Sequence, residues 1–171
     1  HSYRGFFYLY SERSSLTLVN HVEMEDYLKG VVPKESPSIW PLEALKAQAV
    51  AARSYATYHL ATSTKKYFDV DDTARFQVYA GKSAEELSTN RAIQATESEI
   101  LTHNGEVIVA FFHAYSGGKT DSALNIFGRV AEYCQGSEEI FTRQELRDEL
   151  PSSAHWITQW ETDFFNKKEI L

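Results

Sequence analysis

The chain contains a single cysteine, Cys134, among its 171 residues. One cysteine cannot form an intrachain disulfide, and it cannot supply a zinc site built from several cysteines. No apolar run approaches the ~20 residues that a membrane-spanning helix needs. A basic excess is also missing, because the formal net charge is −7, and this argues against a nucleic-acid-binding protein.

The sequence also lacks internal repeats, low-complexity tracts and Pro/Gly/Ser-rich linkers that would separate domains. It opens on His1 rather than Met and shows no leader segment, so we expect a trimmed or mature form from which any export segment has been removed. A length of 171 residues suits one compact domain over residues 1–171.

What is present is an ordinary globular composition, with 43% hydrophobic and 24% charged residues. Aromatic residues make up 13% of the chain, including ten Tyr, ten Phe and three Trp. Tyrosine and tryptophan suit a groove that stacks on sugar rings, but the same composition is typical of a tyrosine-rich β core. Composition alone leaves both interpretations open.

The hydrophobic patterns predict an α+β fold without a regular βαβ rhythm. The expected arrangement is a single domain in which a central alanine-rich helix packs with mixed or antiparallel strands. Asn104-Gly105 is the strongest hairpin signal. The strands are predicted at 3–10, 15–22, 99–103, 106–114 and 155–161, and the helices at 23–30, 42–60, 83–97, 121–127, 142–150 and the C-terminal end.

The central helix carries an arginine on a face of small residues. Pro41 precedes the helix predicted at 42–60, and proline suits a first helical turn. At 100° per residue, Arg53 shares a face with Ala49 and Ala56. The small neighbours leave room for a guanidinium to reach a pocket, although an arginine that extends to the surface is the ordinary alternative.

Glu35 lies between Pro33 and Pro37, in a segment predicted as a loop over 31–40. A carboxylate on a stiff loop before a helix is held in place, as acid catalysis requires. A solvated loop glutamate shows the same pattern, so spacing by itself does not identify a catalytic acid.

The segment 116–120, Ser-Gly-Gly-Lys-Thr, follows a predicted strand. Its two glycines allow backbone N–H groups to approach a ligand, but a plain tight turn is an equal alternative. The spacing is not that of a phosphate-binding loop. Ser116 and His113 do not form the nucleophile elbow of a serine hydrolase.

The remaining candidate groups favour no metal site. The six histidines have no metal-ligand spacing. The carboxylates of Asp69, Asp71 and Asp72 lack the calcium-loop pattern, so a solvated turn is the favoured interpretation.

Two long runs, 20–35 and 40–56, closely resemble the stage II sporulation protein D family (SpoIID/LytB). Further matches follow in the family's order, so that the best-matched core spans 18–128. These matches are Asp72, 77–81, 92–96, Asn104-Gly105 and 113–120.

The resemblance implies a lytic transglycosylase that cuts peptidoglycan, especially glycan strands stripped of stem peptides. It implies that Glu35 is catalytic and that Arg53 lines the site. It also implies an extracytoplasmic location in the cell envelope and no nucleic-acid partner. The remaining groove positions implied by the match are Gln77, Tyr79, Tyr115, Ser116 and Lys119.

One carboxylate suffices for the implied reaction. Ordinary glycosidases use two carboxylates. A lytic transglycosylase instead protonates the glycosidic oxygen after N-acetylmuramic acid and then removes the proton from the C6 hydroxyl of that sugar. The hydroxyl closes a 1,6-anhydro ring, so the attack is intramolecular and gains from proximity.

The sequence departs from the family at one place. Family members often carry a cysteine/histidine cluster, associated with zinc, before the Gln-Val-Tyr segment. Residues 71–76 contain neither Cys nor His, so we expect no metal there and no cofactor. A non-catalytic wall-binding module that stimulates a partner N-acetylmuramoyl-L-alanine amidase is the rival hypothesis, and a zinc amidase is disfavoured.

Overall fold

The computed structural model describes residues 2–13, 15–73, 76–113 and 118–138. The chain divides into two compact units, His1–Tyr115 and Ser116–Leu171. Helices and short antiparallel strands occur together, which confirms the predicted α+β class. None of the helices described combines the length and the apolar character needed to cross a membrane.

The first unit begins with an antiparallel hairpin. Strand β1 (Phe6–Glu12) pairs with β2 (Ser15–His21), in a register that sets Phe6 opposite His21 and Glu12 opposite Ser15. The two strands were predicted, but β1 extends through part of the expected turn. Tyr67 anchors the tip of the hairpin, because its ring stacks on Tyr10 at 4.3 Å and its hydroxyl donates to Glu12.

Helix α1 (Met24–Glu35) is longer than predicted. The predicted loop over 31–40 was wrong at its start, because the helix continues through Pro33 and reaches Glu35. A proline inside a helix costs about 3 kcal/mol. Val31 and Val32 are fully buried, and each buried valine contributes roughly 1.5–3 kcal/mol, so their packing offsets that cost.

Helix α2 (Leu42–Thr62) agrees with its predicted bounds to within two residues at the C-terminal end. Its buried alanines let neighbouring helices approach closely, and it packs against α1 and α3 (Leu87–Ala95). The core of this unit is formed by Tyr27, Leu28, Val31, Val32, Ala49, Ala52, Ala56 and Ile93.

The predicted helix over 83–97 divides into a short 3-10 turn, Lys82–Ala84, and α3. The second predicted hairpin is present but short, with β3 (Thr102–His103) paired to β4 (Glu106–Val107). Asn104 and Gly105 both have positive φ, at 53° and 84°, which is the backbone twist that Asn-Gly favours in a two-residue turn.

The second unit is described over residues 118–138. Helix α4 (Ala123–Phe127) is capped by the hydroxyl of Ser122, which accepts from the Asn125 N–H, and it ends at Gly128 with φ 66°. This helix agrees with the element predicted at 121–127. The elements predicted at 142–150, at 155–161 and at the C-terminal end lie outside the described residues.

Candidate functional site

Glu35 is the last residue of α1 and is half-buried. Its Oε1 accepts a hydrogen bond from the backbone N–H of Val78 at 3.2 Å. Among the described residues, no hydrogen bond is made by its other oxygen, Oε2. The carboxylate is therefore held at one oxygen by the main chain while the other can meet a ligand.

The segment that contains Val78 lies along α1. The N–H of Ala80 donates to the carbonyl of Gly30 at 3.2 Å. Gln77, which is 1% exposed, accepts from the hydroxyl of Tyr27 at 3.2 Å and donates to the carbonyl of Ala52 at 3.3 Å. Gln77 thus joins α1 to α2 beneath the site, and its assignment to the groove stays a prediction.

Tyr27 connects Glu35 to the core electrostatically. Burial raises the pKa of the Tyr27 hydroxyl well above its ordinary value, and the negative charge of Glu35 raises this pKa further. Tyr27 therefore remains a neutral hydroxyl that donates to Gln77.

Tyr79 is placed by a glycine on α1. A Cβ on Gly30 would lie 2.6 Å from Cε2 of the Tyr79 ring, so only glycine permits this approach. The ring also packs 5.2 Å from Tyr27, and its hydroxyl donates to Oδ1 of Asn20 at 3.1 Å. Burial raises the pKa of Tyr79.

Arg53 is 2% exposed and its guanidinium is bound by the protein itself. Nε and Nη2 donate to the two carboxylate oxygens of Glu25 at 2.8 and 2.7 Å. Nη1 donates to the carbonyl of Glu99 at 3.1 Å, and Nη2 also reaches the carbonyl of Ile93 at 3.3 Å. Arg53 thus joins α1, α2, α3 and the chain after α3, and its assignment to substrate stays a prediction.

Sequence reasoning did not single out Glu25. It lies in the first turn of α1, where an acidic residue is common, and nothing in its local pattern distinguishes it from a helix-terminal charge. The pairing with Arg53 crosses 28 positions of sequence, so only the packing of α1 on α2 shows it.

For the other three predicted groove residues, the assignment to the substrate stays a prediction. Tyr115 and Ser116 lie outside the described residues. Lys119 belongs to the second unit, where it is exposed and forms an antiparallel backbone bridge with Glu138.

The acidic segment before Gln77 forms a local turn at Asp71. Asp71 Oδ1 accepts from the N–H and the hydroxyl of Thr73, at 3.0 and 2.5 Å, which is the geometry of a local turn. Within the described ranges, no group of three or more His, Cys, Asp or Glu side chains is placed to hold a metal ion. Zinc prefers nitrogen and sulfur donors, which the described part of this segment does not offer.

A cavity of about 750 Å³ lies beside this region in the first unit. Its walls come from β2, the start of α1, the end of α2 and residues 67–72, and Glu35 is not among them. Tyr27 and Tyr79, whose rings pack 5.2 Å apart, both line this cavity. Sequence reasoning did not predict this cavity, because its walls are far apart in the chain.

Comparison with known proteins identifies the family. A model described as SpoIID, stage II sporulation protein, matches residues 12–103, more than half of the chain. This range contains both Glu35 and the segment that holds it.

Three relatives show the extent of the similarity. An uncharacterised protein of Brachyspira hyodysenteriae is 45% identical over 135 residues, which cover 78% of this chain and 37% of that protein. The amidase enhancer of Bacillus subtilis is 42% identical over 150 residues, covering 80% of this chain and 20% of the enhancer. Stage II sporulation protein D of Bacillus subtilis is 35% identical over 126 residues, covering 65% of this chain and 37% of that protein.

The chain thus spans between 20% and 37% of the length of these relatives. The resemblance drawn from the residues 20–56 is confirmed, and the chain belongs to the SpoIID, stage II sporulation protein, family.

Proposed function

We propose that this chain is a lytic transglycosylase domain that cleaves peptidoglycan glycan strands, preferably strands without stem peptides. Cleavage is between N-acetylmuramic acid and N-acetylglucosamine and forms a 1,6-anhydro end. The observation that carries the proposal is the carboxylate of Glu35, tethered through Oε1 to the Val78 N–H and half-exposed. Membership of the SpoIID family supports a role at the cell wall.

Glu35 would perform both proton transfers. As a carboxylic acid it gives its proton to the glycosidic oxygen, so that the bond to the anomeric carbon breaks and the N-acetylglucosamine end leaves with a hydroxyl. As a carboxylate it then takes the proton from the C6 hydroxyl of the muramic acid, whose oxygen bonds to the anomeric carbon. The proton that left Glu35 is replaced, and no water enters the product.

The hydrogen bond from the Val78 N–H explains how one side chain can perform both proton transfers. The two transfers occur at two different oxygens, the glycosidic oxygen and the C6 oxygen of the muramic acid, so the carboxylate must stay in place between them. The Val78 N–H holds one oxygen, and the end of α1 holds the backbone. This reaction places Glu35 and its substrate in the cell envelope, outside the cytoplasm, where peptidoglycan lies.

A second function has support of its own. The amidase enhancer of Bacillus subtilis is 42% identical to this chain over 150 residues. The alternative is therefore a wall-binding module that stimulates an N-acetylmuramoyl-L-alanine amidase without cutting glycan. Both functions require glycan binding, so binding does not separate them, whereas an anhydro-sugar product does.

Mass spectrometry of products from denuded glycan strands tests the proposal. The wild type is expected to release fragments that end in 1,6-anhydro-N-acetylmuramic acid, and Glu35→Gln is expected to release ~10²–10⁴-fold less. Glu43→Gln is the matched control, because Glu43 is an exposed glutamate at the start of α2. Reducing ends without the anhydro ring, or a fully active Glu35→Gln, would refute the proposal.

A wild type without cleavage that increases the rate of a purified amidase would favour the second function.

A further inference from the structure

The hydrogen bond from the Val78 N–H to Glu35 depends on the position of the segment 77–80, which belongs to neither a helix nor a strand. Bonds to neighbouring elements hold this segment on both sides of Val78. After Val78, the N–H of Ala80 donates to the carbonyl of Gly30 at 3.2 Å. Before Val78, the side chain of Gln77 makes the connection.

The amide of Gln77 is bound at both of its ends, and the residue is 1% exposed. A backbone carbonyl can only accept, so that of Ala52 takes the Nε2 donor at 3.3 Å. Oε1 is then left to accept from the Tyr27 hydroxyl at 3.2 Å. Burial raises the pKa of Tyr27, so this hydroxyl keeps the proton that it donates. One side chain thus fixes the segment against α2 and α1 together.

The position of Gln77 determines the direction of the Val78 N–H. The two residues are adjacent, so this N–H lies in the planar peptide unit that begins at the carbonyl of Gln77. A shift or rotation of the Gln77 backbone therefore moves the N–H by a similar amount. The bond to Glu35 is already 3.2 Å long, so a small displacement would break it.

We propose that Tyr27 and Gln77 are positioning residues for Glu35, which hold the Val78 N–H where it meets Oε1. In this role neither side chain needs to touch the glycan. The inference rests on the proposed function for the view that Glu35 transfers protons. Catalytic groups must be held within about 0.5 Å of their productive position, and a misplacement of about 1 Å can cost ~10²-fold in rate.

Two variants remove the connection in different ways. Tyr27→Phe deletes only the hydroxyl and keeps the ring that packs 5.2 Å from Tyr79. Gln77→Leu deletes both amide bonds and keeps a side chain of similar size. In the double variant no polar group of this pair is left buried without a partner, so stability is expected to recover relative to Tyr27→Phe alone.

Ser54→Ala is the matched control. Ser54 is fully buried, donates to the carbonyl of Val50 at 2.6 Å and accepts from the N–H of Leu101 at 2.8 Å. Its hydroxyl also joins two parts of the first unit, and both of its partners lie outside the segment 77–80. The control is therefore expected to lose stability while cleavage per folded molecule stays unchanged.

The kinetics of anhydro-product release from denuded strands test the proposal. In both single variants, kcat is expected to fall about 10–100-fold while the apparent KM stays within about twofold, because the contacts to substrate remain. In the double variant, kcat is expected to stay low although stability recovers. A raised KM with unchanged kcat would show that the residues contact the glycan, and a kcat that recovers with stability would show a purely structural role. Either result overturns the inference.

The Val78 amide proton gives a second measurement, in ¹⁵N–¹H NMR spectra, that does not need cleavage. Glu35→Ala removes the acceptor and is expected to move this resonance upfield. Tyr27→Phe and Gln77→Leu are expected to move it in the same direction, and Ser54→Ala is expected to leave it in place. An unmoved resonance in the first two variants overturns the inference.

The two proposals can fail separately. A wild type that releases no anhydro product refutes the proposed function, while the Val78 resonance still shows whether Tyr27 and Gln77 hold the N–H against Glu35. An active wild type whose Val78 resonance and kcat do not respond to Tyr27→Phe and Gln77→Leu refutes the positioning role alone.

Discussion

Arg53 of α2 and Glu25 of α1 form a bidentate ion pair, with N–O distances of 2.8 and 2.7 Å. The arginine side chain is 2% exposed, while that of Glu25 is 28% exposed. A buried arginine that loses its carboxylate remains without a countercharge, which is costly. The pair therefore ties together the helix that ends at Glu35 and the central helix.

We expect Arg53→Ala to lower the free energy of unfolding by about 2–4 kcal/mol, because Glu25 and two carbonyls lose their donor. Urea denaturation measures this change, and anhydro-product release per folded molecule measures function separately. Arg91→Ala, at an exposed position on α3, is the control.

The sequence-based interpretation predicts the opposite for Arg53→Ala, a modest change in melting temperature with a sharp loss of cleavage. That result would show that Arg53 binds the substrate rather than supporting the fold.

Glu35→Gln is expected to change the free energy of unfolding by less than about 1 kcal/mol, because the glutamine amide oxygen can still accept from the Val78 N–H. Thermal melts of wild type and variant measure this. A large loss of stability would mean that the carboxylate supports the fold, and the drop in activity would then say little about catalysis.

Gly30→Ala tests the approach of Tyr79 to α1. Alanine normally stabilises a helix interior by about 1 kcal/mol relative to glycine. Here its Cβ would lie 2.6 Å from the Tyr79 ring and 3.2 Å from the Gly81 nitrogen, so we expect a net loss of about 1–3 kcal/mol. Urea denaturation measures the loss. Adding Tyr79→Ala should remove most of it, and a more stable Gly30→Ala protein would contradict the contact.

His59 is expected to make stability depend on pH. Burial of the ring, together with the positive charge of Lys65, lowers the pKa of His59 in the folded protein. The unfolded chain, with an ordinary pKa of about 6.5, therefore binds the proton more readily. Stability from the neutral His59 is fully present above about pH 6.5 and is lost as pH falls through the folded pKa.

Melting temperatures at several pH values between about 7.5 and 5 check this expectation. His59→Phe keeps a ring among Tyr55, Tyr58 and Phe76 and should flatten the profile. His113→Gln, at an exposed position, serves as the control and should not change it. Identical profiles for wild type and His59→Phe would contradict the prediction.

Cleavage is expected to proceed without zinc. Carboxylates favour harder cations, and the acidic segment 69–72 offers only carboxylates among its side chains that commonly bind metals. Metal analysis of protein purified without a histidine tag, with activity measured before and after chelation, checks this. Stoichiometric zinc whose removal abolishes cleavage or unfolds the domain would refute it, and Cys134→Ser would then show whether the cysteine is a ligand.

Local patterns predicted much of the fold. The run of alanines after Pro41 predicted the bounds of α2, because helix propensity depends on the residues within that one segment. Asn104-Gly105 predicted its turn, since both residues accept positive φ. Pro33 led to the wrong prediction of a loop. The free-energy cost of a proline inside the helix is smaller than the stabilisation from burying Val31 and Val32, and only packing against the neighbouring helices supplies that burial.

By itself, then, the sequence determined the α+β class, the central helix, the family and the candidacy of Glu35, all of which depend on residues close together in the chain. Tertiary structure alone decided which groups meet Glu35, that Arg53 faces Glu25, and that segments distant in the chain line one cavity of the first unit. The physical reason is that hydrogen bonds, ion pairs and cavities join segments distant in sequence, and their geometry follows from how the helices pack rather than from any local preference.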